Sequence, residues 1–258
     1  MVEIVGSIDV AQLVLYAFWL FFAGLIWYLQ AESRREGYPL EEDVTGKYNK
    51  DPWLSLPKPK VFKLRHGHGT RVYPNPDNRD KRPIAARRAS AIAGAPLIPT
   101  GNPLKDGVGP AAWAERPDYP DAMADGSDKI IPIARTAHFK IAEGDLDPIG
   151  VNVMAADGQI VGQITDVWVD QAESMIRFFE MSVGDERRII PLHFAKLQNA
   201  RGGRSKVYYV DALASDLFKD VPQLASPDRI TMLEEEKIMA YYGGGGLYGM
   251  PGRGEPLV

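Results

Sequence analysis

The sequence predicts a single N-terminal transmembrane helix followed by a mainly-β domain with one short C-terminal helix. The first observation is residues 10–31, VAQLVLYAFWLFFAGLIWYLQA, a run of 22 residues without formal charge between Asp9 and Glu32. A bilayer core about 30 Å thick needs roughly 20 helical residues to cross it. The second observation is a series of short β-prone segments in the second half of the chain, separated by turn residues. The third is the capping box Thr231-x-x-Glu234, which is typical of a helix start.

The charges that flank the apolar run predict its orientation. Arg34 and Arg35 follow the run, and residues 1–9 contain no Lys or Arg. The positive-inside tendency places residues 1–9 in the periplasm and the domain in the cytoplasm. The run is too long and too aromatic for a signal peptide. A buried core helix of a soluble protein is the alternative, and the absence of a polar stripe disfavours it.

Composition excludes several classes of chemistry. The 258 residues include no cysteine, which excludes disulfides, iron–sulfur ligation, c-type haem attachment and a thiol nucleophile. A net charge of −4 argues against general nucleic-acid binding. Only four histidines are present, so little material is available for metal ligation. His66 and His68 flank a glycine, and solvated turn imidazoles are favoured there over a metal site.

Residues 32–128 are predicted to form an extended connector and an irregular, partner-contacting region. Within it, residues 61–73 resemble a hairpin with its turn at Gly67 to Gly69. Residues 96–113, PLIPTGNPLKDGVGPAAW, have neither helical nor strand periodicity but carry several large apolar side chains. We therefore expect an ordered, irregular segment that lies against another protein chain.

Residues 129–248 are predicted to form the β domain and its C-terminal helix, and residues 249–258 a tail. The turn at Asp157-Gly158 is a strong hairpin signal. The spacing of the short antiparallel strands favours a small barrel or a sharply curled sheet. The helix is expected to bury residues at i, i+3 and i+4 and to end at Gly243 to Gly246. The predicted strands are Ile130–Ile133, Phe139–Ile141, Val151–Ala155, the strand ending at Asp170, Ile176–Val183, Arg188–Leu192 and Lys206–Val210.

The strand that ends at Asp170 carries the candidate acids. Strand alternation puts Ile164, Asp166, Trp168 and Asp170 on one face. Asp166, Asp170 and Glu173 cluster in sequence, and neighbouring carboxylates can titrate as a coupled set. Such a set could relay protons, could serve a hydrolase, or could be solvated turn acids. No Walker loop, G-x-S-x-G elbow or H-E-x-x-H motif accompanies them.

Six segments behind the apolar helix carry a resemblance to a known family. The segments are RREGYPL (34–40), LPKPKVF (56–62), PTGNPLKDGVGPAAW (99–113), DPIG (147–150), TDVWVD (165–170) and LEEEKIMAYYGGGGLY (233–248). Because they all occur in this order, they are together far more specific than any one alone. With these segments the chain resembles the H subunit of the photosynthetic reaction centre of purple bacteria.

The resemblance implies a non-catalytic subunit with a small β-barrel of the PRC type. Such a subunit caps the quinone side of the L and M subunits, stabilises the complex and conducts protons from the cytoplasm to the secondary quinone. It implies no cofactor bound by this chain alone, because bacteriochlorophyll, bacteriopheophytin, quinones, non-haem iron and carotenoid belong to partner subunits. The implied location is the bacterial inner (intracytoplasmic photosynthetic) membrane, in contact with lipid and near a light-harvesting antenna.

The resemblance also implies proton-transfer residues. Asp170 and Glu173 match positions on the proton route, and Arg177 matches a neighbouring basic position. Some members carry two surface histidines where protons enter and where transition metals block uptake. By simple matching, Asp125 and Ser127 occupy those positions here, so Asp125 or Asp128 is expected to take up the protons instead.

Two alternatives remain open at this point. One is a membrane-tethered PRC-barrel adaptor for another cytoplasmic partner, and the other is a membrane-anchored hydrolase that uses the strand acids. The segments 34–40 and 99–113 favour the reaction-centre subunit, because an adaptor has no use for them. In that case the small residues Ala17, Ala23 and Gly24 are expected on the helix face that contacts partner helices.

Overall fold

A computed structural model provides the structure of this chain. It describes residues 3–5, 8–38, 40, 47, 56–75, 80–92, 94–200 and 205–253. The chain divides into two compact units, which are described separately below. The first comprises residues 1–81 and 92–94, and the second comprises residues 82–91 and 95–258.

The first unit is built on helix α1, Val10–Glu32, which follows the short strands β1, Glu3–Val5, and β2, Ile8–Asp9. The Asp9 carboxylate caps α1 by accepting a hydrogen bond from the N–H of Gln12 at 2.8 Å. At 1.5 Å per residue the 23 residues of α1 extend about 35 Å. No residue of α1 is buried, and the helix is long and apolar enough to cross a membrane. The predicted N-terminal helix is thereby confirmed.

A β-hairpin completes the described part of this unit. Strands β3, Lys60–Lys63, and β4, Thr70–Tyr73, pair antiparallel, which confirms the predicted hairpin. A 3₁₀ turn at Arg65–Gly67 joins them, with His66 at a φ of +54°. Both histidines of this turn are exposed, as expected for solvated imidazoles.

Hydrogen bonds attach the hairpin to the end of α1. The Glu32 carboxylate accepts hydrogen bonds from Arg35 at 2.8 Å and from Lys60 at 3.0 Å. The same Arg35 guanidinium donates to the carbonyl oxygens of Lys58 at 2.9 Å and Tyr73 at 3.2 Å. Arg35 therefore holds both strand ends beside the last turn of the helix.

The second unit begins with short elements in the stretch predicted to be irregular. Strands β5, Ala86–Arg88, and β6, Leu97–Pro99, pair antiparallel. Helix α2, Pro103–Asp106, follows, and the Asn102 side chain caps it by accepting from two backbone N–H groups. An Asn at the N-cap followed by a Pro at the first helical position is a local signal for a helix start. The search for hydrophobic periodicity did not detect this helix, because it is only four residues long.

The apolar residues of this segment pack against the chain's own C-terminal helix. Leu104, Val108 and Ala111 are buried, and two of them contact helix α3, Met232–Tyr248. The expectation that another chain receives these side chains is therefore wrong for this buried part. The two contacting side chains are covered by helix α3 of the same chain.

Helix α3 is longer than predicted. Its capping box at Thr231 and Glu234 and the burial of Ile238, Tyr241 and Tyr242 confirm the sequence prediction. The glycines of the run 243–246 were predicted to end the helix, but it continues through them. Close packing accounts for the glycine at 244, because a Cβ on Gly244 would lie 2.4 Å from the Cβ of Ala111.

A seven-stranded sheet forms the core of the second unit. The strands are β7, Ile130–Pro132; β8, Asn152–Ala155; β9, Ile160–Asp170; β10, Met175–Val183; β11, Glu186–Pro191; β12, Ala195–Asn199; and β13, Lys206–Val210. Their order is β11-β10-β9-β8-β13-β12, with β7 paired to the C-terminal end of β9, and only the β8–β13 pair is parallel. The mainly-β prediction is confirmed, but within the described residues the end strands β11 and β12 do not pair, so the sheet is not closed into a barrel.

Two details of the predicted sheet are wrong. Residues 139–141 form no strand, because the edge of β9 that faces away from β10 is already shared by β7 and β8. A register shift leaves Thr165 as an extra residue between the pairs Ile164–Met181 and Asp166–Glu180. Such a bulge inverts the alternation, so Ile164 lies on the face opposite Asp166.

The packing of α3 predicts opposite effects at two glycines of one helix. Gly244→Ala places its methyl group against Ala111 and Leu104, and we expect it to lower the free energy of unfolding by about 1–3 kcal/mol. Gly246→Ala meets no atom within 4 Å and should raise it by up to about 1 kcal/mol through helix propensity. Guanidinium unfolding of the full chain in detergent, followed by tryptophan fluorescence, measures both. Equal effects at the two positions would contradict this packing.

Candidate functional site

The candidate site is centred on the carboxylate of Asp170, the last residue of β9. The side chain is buried. One carboxylate oxygen, Oδ1, accepts hydrogen bonds from the backbone N–H groups of Ala172 at 2.9 Å and Glu173 at 3.0 Å. These bonds shape the turn between β9 and β10, in the way that Asp side chains commonly organise turns.

Two cations face the other oxygen of Asp170. Arg177 donates to Oδ2 through Nε at 3.1 Å, and the ammonium of Lys129 lies 3.6 Å from the same oxygen. Arg177 is an extra residue on β10, because the register shifts between Ile176 and Phe178. A bulge re-aims a side chain, and here it directs the guanidinium towards Asp170.

These contacts set the protonation state of Asp170. Burial raises the pKa of the Asp170 carboxyl, but the hydrogen bonds from Glu173 N–H and from Arg177, with the charge of Lys129, outweigh it. The net pKa of Asp170 is lowered, so the carboxylate stays ionised at neutral pH.

Glu173 is placed beside Asp170, but its carboxylate is not the group that contacts it. The residue is exposed, and its backbone N–H makes the hydrogen bond to Asp170. The described contacts of the Asp170 carboxylate all come from N–H donors. A direct carboxyl–carboxylate hydrogen bond between the two residues is therefore absent from this part of the structure.

Glu235, on the first turns of α3, is a further acid at this site. The pKa of Glu235 is raised from its ordinary value near 4.5 to about 7, mainly by burial and in addition by the charge of Asp121. Arg177, Arg116 and Lys129 act in the opposite direction. Glu235 therefore shares two cations with Asp170 but titrates near neutral pH.

The sequence analysis did not single out Glu235, which lies in a run of three glutamates, 234–236, at the start of the helix. Glu234 closes the capping box, and the Glu236 carboxylate accepts from the N–H of Ala114 at 3.2 Å. The missed signal was periodicity, because Glu235 lies three and seven residues before the buried Ile238 and Tyr242.

Two comparisons with known families bear on this arrangement. Residues 2–135 match the photosynthetic reaction centre, H-chain N-terminal region, and residues 143–216 match the PRC-barrel domain. The chain belongs to the reaction-centre H-chain family. It is thus a subunit of the photosynthetic reaction centre, in a family of non-catalytic, membrane-associated structural subunits that associate with the L and M subunits.

The two acids predicted to take up protons, Asp125 and Asp128, lie in the loop before β7 of this H chain. Asp125 is exposed, and its Oδ1 accepts hydrogen bonds from the N–H of Ser127 at 2.9 Å and from its hydroxyl at 2.7 Å. Asp128 is half-buried and pairs with Arg229, whose Nε lies 2.7 Å from Oδ2. Asp128 directly precedes Lys129, so this loop is continuous with the cations around Asp170.

The acids proposed for a hydrolase are not brought together in the H chain. Asp166 accepts a hydrogen bond from the N–H of Val167 at 2.8 Å, and it lies about 13 Å from Asp170 along the strand. Among the described residues, no three His, Asp or Glu side chains are arranged to hold a metal ion. The described geometry offers such a reaction no assembled catalytic set.

The environment of Glu235 predicts a distinctive pH dependence of stability. Because the folded pKa of about 7 exceeds the ordinary 4.5, the folded state holds its proton more tightly than the unfolded chain. This stabilisation is complete below about pH 4.5 and is lost as the pH rises towards 7. Glu235→Gln should therefore gain stability relative to the wild type over this range, by up to about 3 kcal/mol at pH 8.

The measurement is denaturant unfolding of the full chain in detergent at several pH values. Glu143→Gln, at a glutamate with 96% side-chain exposure, controls for loss of one negative charge. A stability difference between Glu235→Gln and wild type that does not change between pH 4.5 and 8 would contradict the raised pKa.

Proposed function

We propose that this chain caps the quinone side of the L and M subunits and conducts protons from the cytoplasm towards the secondary quinone. The observation that carries the proposal is the group formed by Asp170, Arg177, Lys129 and Glu235. It combines a carboxylate that is ionised at neutral pH with an acid whose pKa is about 7. An acid that titrates near the working pH can both take up and release a proton.

The members of this group have different roles in the proposal. Asp170 is held ionised by N–H donors and does not carry the proton itself. It positions Arg177 and Lys129, whose charges lower the pKa of Glu235 against the effect of burial. Glu235 is the carrier, and bound water would bridge to neighbouring groups.

Surface carboxylates supply the protons in this scheme. Asp125 and Glu173 are exposed, and Asp128 lies beside Lys129. Carboxylates relay protons as histidines do, although their ordinary pKa is lower. The proposed route therefore runs from the loop before β7, or from Glu173, to the buried group.

Membrane placement follows from the same proposal. Helix α1 spans the inner, intracytoplasmic membrane with residues 1–9 in the periplasm and the second unit in the cytoplasm, as the positive-inside tendency indicates. Pigments, quinones, carotenoid and the non-haem iron are held by partner subunits, and an antenna surrounds the complex. Residues Ala17, Ala23 and Gly24 of α1 contact partner helices. The adaptor alternative has no support of comparable extent, since the H-chain match spans residues 2–135.

The proton route is tested by the second, proton-coupled electron transfer to the secondary quinone. In the double variant Asp170→Asn, Glu173→Gln we expect the rate to fall at least about tenfold at neutral pH, because a proton donor and the charge that holds both cations are lost. Glu235→Gln should slow the same step. Flash spectroscopy of the purified complex measures the rate.

The matched control is Glu236→Gln, which removes the neighbouring glutamate that bonds to Ala114. It should leave the rate unchanged. Unchanged rates over the whole pH range in the double variant and in Glu235→Gln would overturn the proposed route.

Metal inhibition is expected to be weak in this chain. Asp125 and Ser127 stand where imidazole ligands would be needed, and zinc and cadmium bind imidazole nitrogen well. Titration of proton uptake with Zn²⁺ should show weaker inhibition than in a relative with histidines at both positions. The variant Asp125→His, Ser127→His should strengthen it. Strong inhibition of the wild type would contradict the matching of this loop.

A further inference from the structure

The β3–β4 hairpin carries an unusual concentration of positive charge. Residues 56–73 contain no Asp or Glu, although the whole chain has a net charge of −4. The five cationic residues of this segment are Lys58, Lys60, Lys63, Arg65 and Arg71. The local sign of charge is therefore opposite to that of the rest of the chain.

The same hairpin exposes apolar side chains. Val61 is 68% exposed, Phe62 43% and Val72 41%. Val61 and Val72 are directly paired across the strands, so their side chains lie on one face. An isolated two-stranded hairpin is only marginally stable in water. Both its exposure and its size indicate that a further surface covers this hairpin.

Hydrogen bonds hold the base of the hairpin at the C-terminal end of helix α1. Lys60 contacts Glu32, the last residue of the helix, and Arg35 bonds to the carbonyl of Tyr73. If α1 spans the bilayer, its end lies at the lipid headgroups, and so does the base of the hairpin. Lys60 and Tyr73 point to the face that carries these contacts, which leaves Val61, Lys63 and Val72 on the other face.

We propose that this hairpin binds the anionic lipid headgroups of the leaflet that faces the cytoplasmic domain. Lys63 and Arg65 pair with headgroup phosphates, while Val61 and Val72 enter the interfacial region of the leaflet. Basic residues with interspersed apolar side chains beside a span are the chemistry that recognises an anionic membrane surface. The proposal shares with the proposed function the condition that α1 spans the membrane.

The test uses the complete reaction-centre complex reconstituted in vesicles. Electron paramagnetic resonance measures the motionally restricted fraction of spin-labelled phosphatidylglycerol and, separately, of spin-labelled phosphatidylcholine. We expect the wild type to prefer phosphatidylglycerol, and the preference to weaken as salt is added. In the variant Lys63→Glu, Arg65→Glu the preference for phosphatidylglycerol should fall by at least about fivefold, because the loss of even one juxtamembrane cation is expected to weaken binding by about that factor.

The matched control is Lys140→Glu, Lys206→Glu, which makes the same change of charge at two exposed lysines of the second unit. It should retain the wild-type preference. An unchanged preference in the hairpin variant, or an equal loss in the control, would overturn the proposal. Loss of the L and M subunits from the hairpin variant, with lipid preference unchanged, would identify a protein surface as the occupant and also overturn it.

A second measurement separates this proposal from the proton route. The rate of the second electron transfer in the hairpin variant should equal that of the wild type, because no residue of the group around Asp170 is altered. Apart from the shared condition that α1 spans the membrane, the two proposals can therefore fail independently.

Discussion

The buried, ionised carboxylate of Asp170 ties several segments of the second unit together. A buried Asp170 without partners would be strongly destabilising, since removing a carboxylate from water is costly. Two backbone N–H groups and two cations compensate that cost, and they come from the turn after β9, from β10 and from the residue before β7. Satisfying this group therefore fixes the relative positions of three strands.

Two of the same cations also act on Glu235. Arg177 and Lys129 lower the pKa of Glu235, but burial outweighs their charges. Two carboxyl groups that share cations thus acquire pKa values on opposite sides of the ordinary one. This separation gives each acid a different protonation state at neutral pH, and a proton-conducting group requires at least one member that can change state.

The sequence predicted the elements whose signals are local. The apolar run of α1, the turn residues of the β3–β4 hairpin, the Asp157-Gly158 turn and the capping box of α3 all lie within a few residues of the structure they specify. Asp170 and Arg177 were also singled out as site residues, and the structure brings them into contact. The role of Glu173 remains a prediction, since only its backbone contacts Asp170.

The features that sequence reasoning missed depend on distant contacts. The bulges at Thr165 and Arg177 arise from pairing between β9 and β10, which a single strand does not reveal. The need for glycine at position 244 of α3 comes from its contact with Ala111, more than a hundred residues earlier. The pKa of Glu235 is raised mainly by burial, and the charge of Asp121 adds to the rise, while Arg177, Arg116 and Lys129 oppose it. All of these causes depend on segments far from Glu235 in the sequence.

The packing of α3 against Ala111 also connects the two regions of the chain that match different family models. The H-chain match ends at residue 135, the PRC-barrel match covers residues 143–216, and helix α3 lies beyond both. The helix nevertheless packs against Leu104 and Ala111 of the H-chain match and near Ala212 of the PRC-barrel match. The boundary between the two matched regions therefore does not coincide with a boundary in the packing, because one helix joins the core residues of both regions.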